Sequence, residues 1–409
     1  MLWQRAWCAK EQHELNTHLG VLLQGDCFEL DLSKWREQAQ CIYLDPLSIT
    51  GKTYRYRNRL EEGTVKINVY RDYSLKQLPE YLDYLRRLFT LAKDLLKDTG
   101  SLFIHADFHS ALYVRQIADE VMGANKLVND IIWHYQQTGQ TKVHFPRRHD
   151  IIFYYGKGDK RYFRLSNVPS GKKRENPNHM RRRVDEKGRS YREIVSGGKR
   201  YVYYDDAPIY PDDVWDDIAR QPQKDQRMTG YPGERPVALC ERMLLSTTRP
   251  GDLFIDLSCG SGASLLAAAH NNRRFVGIDS SPIAFMCSRK RLQSFSLLAQ
   301  ADLSDMPVLV DCNSLPGIGY YDVELISYLL PKEETAGLGR MDGCKAVDQW
   351  YAGLLRGDTF HVFASAKRDE QTQSIERSLK VPLLKGTVAI MIIDILGNRT
   401  FWTASPLVY

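Results

Sequence analysis

The sequence predicts a doubly wound α/β fold in two halves, separated by a basic insert and followed by a β-rich extension. Three observations carry this. Short apolar runs alternate with helical periods over residues 20–155 and again over 236–292, the signature of a mostly parallel, helix-covered sheet. Two of the first runs end in acids, at Gly25-Asp26 and Asp45-Pro46, and open α/β sheets hold ligands at such strand ends. Third, Ile255-Asp256-Leu257-Ser258-Cys259-Gly260-Ser261-Gly262 reads as an apolar strand, a glycine turn and the start of a helix. Glycines let the main chain come close to a nucleotide-like cofactor, and the free helix N-terminus faces it.

Val21-Leu22-Leu23 and Cys41-Ile42-Tyr43-Leu44 are short buried strands. Leu82, Leu85, Leu88, Phe89, Ala92, Leu95 and Leu96 keep helical spacing between Pro79 and Asp98, with Gly100 as the expected stop. A strand over Ser101–His105, a helix over Ser110–Val121 closed by Gly123, and strands Ile131–Tyr135 and Ile151–Tyr155 follow. From about Gly156 to Tyr210 the periodicity dissolves. It resumes near Pro236 with a helix through Leu239, Met243 and Leu244, then strand Leu253–Ile255, a helix over Ser264–Ala269, strand Phe275–Ile278 and a helix over Pro282–Leu292. Pro307–Val310, Val362-Phe363 and Val388–Ile393 mark the β-rich extension. The domain reading is therefore 1–156, 157–212, 213–298 and 299–409.

A chain of 409 residues can bury a large core. No run approaches the roughly 18 apolar residues of a membrane span, and the first residues lack a secretory h-region. The eight cysteines are scattered without a CxxC pair, which argues for reduced thiols in a cytoplasmic protein and against structural zinc. Residues 157–200 carry 15 Lys and Arg against 5 Asp and Glu, so the excess positive charge is one local patch.

Asp279 lies 17 residues beyond Gly262. A carboxylate at that spacing can accept hydrogen bonds from two ribose hydroxyls, or cap the next helix, a task open also to Ser280 and Ser281. In order, Gln24-Gly25-Asp26-Cys27, Ile42-Tyr43-Leu44-Asp45-Pro46, Thr50-Gly51-Lys52, Ser101–His105, Ile131-Ile132-Trp133, Thr229-Gly230-Tyr231-Pro232, Asp256–Gly262 and Gly277-Ile278-Asp279 resemble the β-group of amino-directed DNA methyltransferases, over roughly residues 20–295. The resemblance implies a Rossmann-like methyltransferase fold with target recognition between the catalytic and cofactor halves. It implies that Asp256, Cys259, Gly260 and Gly262 shape an S-adenosylmethionine pocket, that Asp279 holds the ribose, that Asp26 lies near the cofactor, and that Thr229, Gly230 and Tyr231 close over its methionine. Asp45 and the Pro46 carbonyl would take the exocyclic amine of an extruded base, because that amine cannot be reached inside a duplex. Asp at position 45 favours adenine N6 over cytosine N4.

Two positions depart from the family pattern. Leu47 replaces the second proline, and Ser48 replaces the aromatic ring that stacks on the extruded base, a contact of about 1–3 kcal/mol. Tyr54 or Tyr56 is the candidate replacement. In the glycine motif Leu257 and Ser258 stand where the family has Pro and Phe. The expected activity is methylation of double-stranded DNA at adenine N6; the alternative is a catalytically impaired DNA-binding subunit. A homodimer, or a partner restriction or methylase subunit, is expected with either. No metal is expected, although His105, Asp107 and His109 would share one face if the strand continued through them. In the insert, Lys172, Lys173, Arg174, Arg181, Arg182 and Arg183, with tyrosines interleaved, are the candidate DNA contacts. Arg147-Arg148-His149 is either a phosphate contact or plain surface, and Trp133, Trp215 and Trp402 are expected as packing anchors.

Overall fold

A computed structural model of the chain describes residues 2–6, 10–13, 19–60, 63–136, 141–168, 182–207, 209–220, 228–295, 297–300, 309–330, 344–369 and 372–405. At its centre lies a seven-stranded sheet in the order Gly20–Gln24, Arg274–Asp279, Leu253–Asp256, Ala39–Leu44, Leu96–Ala106, His149–Gly156, Leu127–His134. The first five run parallel. His149–Gly156 lies antiparallel to both of its neighbours.

Alternation along each strand feeds two cores. Ile42, Leu102, Ile104, Ile255 and Ile278 face helices Leu78–Leu95 and Ala111–Met122 on one side. Cys41, Tyr43, Phe103, Phe254 and Phe275 face helices Val237–Thr247, Ala263–His270 and Pro282–Arg291 on the other. The strands are apolar on both faces because both faces are covered. Gly123, at φ 101°, ends its helix as expected. Gly100 does not: the helix stops at Leu95 and Gly100 lies inside the strand that begins at Leu96.

The β-rich extension is continuous with this sheet. Strand Leu297–Gln300 pairs with Gly20–Gln24 and with Lys10–His13, and Lys10–His13 pairs in turn with Thr359–Lys367. Val347–Arg356, Thr387–Asp394, Arg399–Ser405 and Leu2–Arg5 complete the row on that side, and Val214–Trp215 pairs with Leu127–His134 at the opposite edge. A second sheet, Leu309–Pro316, Tyr320–Leu329 and Ser378–Pro382, packs Val323, Leu325 and Val381 against Trp350, Ile390 and Ile392.

Candidate functional site

Strand Ala39–Leu44 pairs in parallel with strand Leu253–Asp256, with Tyr43 opposite Asp256. The ends of both strands open onto a cleft of about 1030 Å³, at the upper end of small-molecule sites. Asp26, Asp45, Pro46, Leu47, Ser48, Tyr231, Asp256, Cys259, Gly260 and Asp279 line it; Thr229, Gly230 and Gly262 do not. The hydroxyl of Ser258 lies 3.5 Å from the Asp45 carbonyl, so the glycine turn and the Asp-Pro segment are immediate neighbours.

Gly262 takes φ 75° at the head of helix Ala263–His270, and a Cβ there would stand 2.7 Å from Ser288 Oγ. Gly260 takes φ 50°, and a Cβ there would stand 3.0 Å from the Tyr231 ring edge. The Gly260 amide donates to Asp279 Oδ2 at 2.9 Å and the Ser281 amide to Asp279 Oδ1 at 2.9 Å. Ser281, not Asp279, caps helix Pro282–Arg291 through its side chain. That leaves the Asp279 carboxylate, which also lines the cleft, with lone pairs for a ligand. Burial pushes Asp279 up to about 6, against the two amides, and Asp256 up to about 7, against Ser264 and Ser258. An acid at the strand end, a turn stripped of side chains and an aromatic ring above it fit a nucleoside cofactor.

The segment carrying Thr229 and Tyr231 is tied to that turn. Thr229 donates through its amide and hydroxyl to Glu234 Oε2 at 3.1 and 2.9 Å. Glu234 pairs with Arg291, which also donates to Ser261 Oγ at 3.2 Å. Asp26 accepts the Phe28 amide at 2.9 Å and so shapes its own loop.

Around Asp45 the structure adds residues that sequence reasoning missed. Arg235 donates Nε to Asp45 Oδ2 at 2.7 Å, Nη2 to Asp45 Oδ1 at 3.2 Å and Nη1 to Asp150 Oδ2 at 3.1 Å. Asp150 also contacts His105 Nε2 at 2.9 Å and accepts the Tyr135 hydroxyl at 3.2 Å. With Nε2 donating, His105 Nδ1 accepts the Tyr43 hydroxyl at 3.1 Å. Burial alone would raise the Asp150 carboxyl, but His105 and Arg235 hold it well below the usual carboxylate range. The only sequence signal was position: Arg235 lies just beyond the Thr229–Pro232 segment.

Ser48 is held by two acids, its amide donating to Asp72 Oδ1 at 3.1 Å and its hydroxyl to Asp107 Oδ1 at 2.9 Å. Leu47 lines the cleft beside it. A hairpin, Thr53–Leu60 with Gly63–Arg71, follows this segment. Tyr54 lies on its cleft side, stacked on Tyr70 with centroids 4.7 Å apart. Tyr56 is buried in the core and does not line the cleft, so of the two candidates only Tyr54 faces the cleft.

His105, Asp107 and His109 do not share a face, because the strand ends at Ala106. His105 is buried against Asp150, while Asp107 takes Ser48 and Ser110. Trp133 and Trp215 are buried and donate to the Ile218 and Asp212 carbonyls. Arg147 lies over Phe108 at 4.0 Å. In the insert, Arg182–Val184, Ser190–Ser196 and Lys199–Tyr204 form a small sheet. Arg182 pairs with Asp205 at 2.8 Å and Arg183 with Glu193 at 2.9 Å. Lys172, Lys173, Arg174 and Arg181 lie outside the described residues.

A family model described as DNA methylase matches residues 39–286. The Type II methyltransferase M.EcaI of Enterobacter cloacae is 25% identical over 301 residues, covering 62% of this chain and 65% of that protein. M.HpaI of Haemophilus parainfluenzae is 23% identical over 265 residues, covering 61% of this chain and 75% of its own. Among solved structures, the cytosine-N4-specific PvuII DNA methyltransferase covers 70% of this chain and 90% of its own at 14% identity, with a TM-score of 0.45.

Proposed function

The chain belongs to the N6/N4 DNA methylase family, and from that premise we propose that it methylates the exocyclic amine of an extruded DNA base, adenine N6 in preference to cytosine N4, with S-adenosylmethionine as donor. The observation that carries this is the parallel pairing of strands Ala39–Leu44 and Leu253–Asp256, which opens the Asp-Pro segment and the glycine turn onto one cleft. When bound, S-adenosylmethionine would supply a sulfonium methyl that an amine lone pair can attack directly, the C–S bond breaking as the neutral thioether leaves.

The chain's own residues supply binding and orientation. Asp279 accepts the ribose hydroxyls, and Gly260 and Tyr231 bound the nucleoside, with Asp26, Asp256 and Cys259 completing the pocket. Thr229 and Gly230 hold Tyr231 over it, and Gly262 starts the helix behind it. The free lone pairs of Asp45 and the Pro46 carbonyl accept the two amine hydrogens, which turns the nitrogen lone pair toward the methyl group. Such orientation replaces an encounter in solution by a reaction between held neighbours. Leu47 and Ser48 form the floor, and Tyr54 supplies the stacking face that position 48 lacks. The insert, with Lys172, Lys173, Arg174, Arg181, Arg182 and Arg183, forms the recognition surface on double-stranded DNA. A cytoplasmic enzyme, as a homodimer or beside a restriction or methylase partner, fits this reading; no helix among the described residues is long and apolar enough to cross a membrane.

One observation favours the second reading, a DNA-binding subunit without turnover: both Asp45 oxygens are already engaged by Arg235. Calorimetry with S-adenosylmethionine, paired with tritiated methyl transfer to mixed-sequence DNA, separates the two. Turnover that Asp45→Ala abolishes while cofactor binding persists supports the enzyme; cofactor binding with no turnover by the natural sequence supports the silent subunit.

A further inference from the structure

The hairpin Thr53–Leu60/Gly63–Arg71 has two unlike faces. In an antiparallel pair, residues directly opposite share a face and alternate residues change face. Arg55 pairs with Asn68, Arg57 with Lys66, and Thr53 with Arg71. Arg55, Arg57, Lys66 and Arg71 therefore stand on one side, and all four are exposed. The irregularity between Tyr54 and Arg55, where Val69 is the extra residue, keeps Arg71 on that side. The other side carries Tyr54 and Tyr70 in the cleft and Tyr56 in the core.

These cations differ from the paired arginines in and beside the small sheet of the insert. Arg182, Arg183, Arg189 and Arg200 are each paired with an acid inside their own sheet. Among the described residues, no carboxylate pairs with Arg55, Arg57, Lys66 or Arg71, and Arg55 donates only to the Asn68 side-chain oxygen at 3.0 Å. The hairpin is also anchored at the cofactor side: a Cβ on Gly230 would come within 2.7 Å of the Arg57 carbonyl. Same-face residues recur about every 7 Å along a strand, twice the ~3.4 Å axial spacing of phosphates on one DNA strand. An unneutralised cationic ladder at that spacing, backed by the rings that wall the base pocket, is complementary to a polyanion entering the cleft.

We propose that this hairpin grips the DNA backbone beside the extruded nucleotide through Arg55, Arg57, Lys66 and Arg71, a role that rests on the DNA methylation reading. The test is duplex binding by anisotropy at 50–200 mM salt for the natural sequence, for R55Q/R57Q/K66Q/R71Q, and for a control, K367Q/K380Q/K385Q, in the C-terminal extension. The hairpin variant is expected to lose at least about tenfold in affinity at low salt, and the slope of log K against log salt to become shallower by about 2–3, since each lost phosphate contact removes about 0.9. The control slope is expected to stay unchanged, and unaltered cofactor binding shows that the hairpin variant is folded. An unchanged slope in the hairpin variant, or an equal change in the control, overturns the proposal. Absence of duplex binding by the natural sequence at any salt overturns the DNA reading itself.

Discussion

Arg235 grips Asp45 through two hydrogen bonds, at 2.7 and 3.2 Å, and reaches Asp150 with a third at 3.1 Å. One guanidinium thus separates two carboxylates from strands that lie two places apart in the sheet. Its planar fork sets the angle of the Asp45 carboxylate. Arg235→Met leaves the two acids facing each other without a cation, and is expected to cost about 3–5 kcal/mol, read from urea unfolding. Arg235→Lys is expected to restore most of that stability while lowering kcat by up to about 100-fold, because a single ammonium does not fix the plane of Asp45. A kcat for Arg235→Lys equal to that of the natural sequence would show that the fork does not orient the acceptor.

Cofactor affinity is expected to depend on Asp279. Ribose hydroxyls donate to the ionised carboxylate, and burial sets its titration near 6. The dissociation constant of S-adenosylmethionine, measured by calorimetry, should therefore rise as pH falls from 8 to 5, with its midpoint near 6. Asp279→Asn should flatten that profile. The stability of the ligand-free fold runs the other way. Asp279 and Asp256 are raised above the ordinary 3.8, to about 6 and about 7, so what they contribute is present in acid and lost as pH rises through those values.

Glu234 and Arg291 join the Thr229 loop to the glycine turn, and their side chains are 1% and 8% exposed. Glu234→Ala removes the carboxylate that pairs with the buried Arg291 guanidinium and releases Thr229, so a loss of about 3–5 kcal/mol is expected, with weaker cofactor binding beside it. Denaturant unfolding with and without cofactor measures both. Equal losses of stability in the two titrations would show that the clasp serves only the fold.

In the proposed reaction Tyr54 supplies the ring missing at position 48. Tyr54→Ala is expected to raise KM for DNA by about 10- to 100-fold, the equivalent of about 1–3 kcal/mol of stacking. Tyr54→Phe should stay near the natural value, because a phenyl face stacks as well. An unchanged KM in Tyr54→Ala would show that the base is held elsewhere.

Much of this was legible in the sequence where the signal is local. Strand Ala39–Leu44 is apolar on both faces, and the turn at Gly260 and Gly262 needs residues without side chains, so both stand out in a single reading. The grip of Arg235 on Asp45 spans 190 positions, and no periodicity reports a partner at that distance. The hairpin was missed because its arginine and tyrosine alternation has a polar face where apolar residues were sought; the period of two in Tyr54-Arg55-Tyr56-Arg57 was the available cue. His105, Asp107 and His109 do not come to one face because the strand stops one residue after His105. Lys10–His13, wholly polar, carries no strand signal, yet it bridges the central sheet and the extension.

That bridge orders assembly in time. Leu2–Arg5 pairs with Arg399–Ser405, and Lys10–His13 with Thr359–Lys367, so segments synthesised first must wait for those synthesised last. Contacts this distant in sequence are slow to close. During synthesis the outer edge of Lys10–His13 therefore stays unpaired until Thr359–Lys367 arrives, and an exposed strand edge is where chains stick to one another. The extension is thus expected to govern yield and aggregation of the nascent protein before it influences any chemistry.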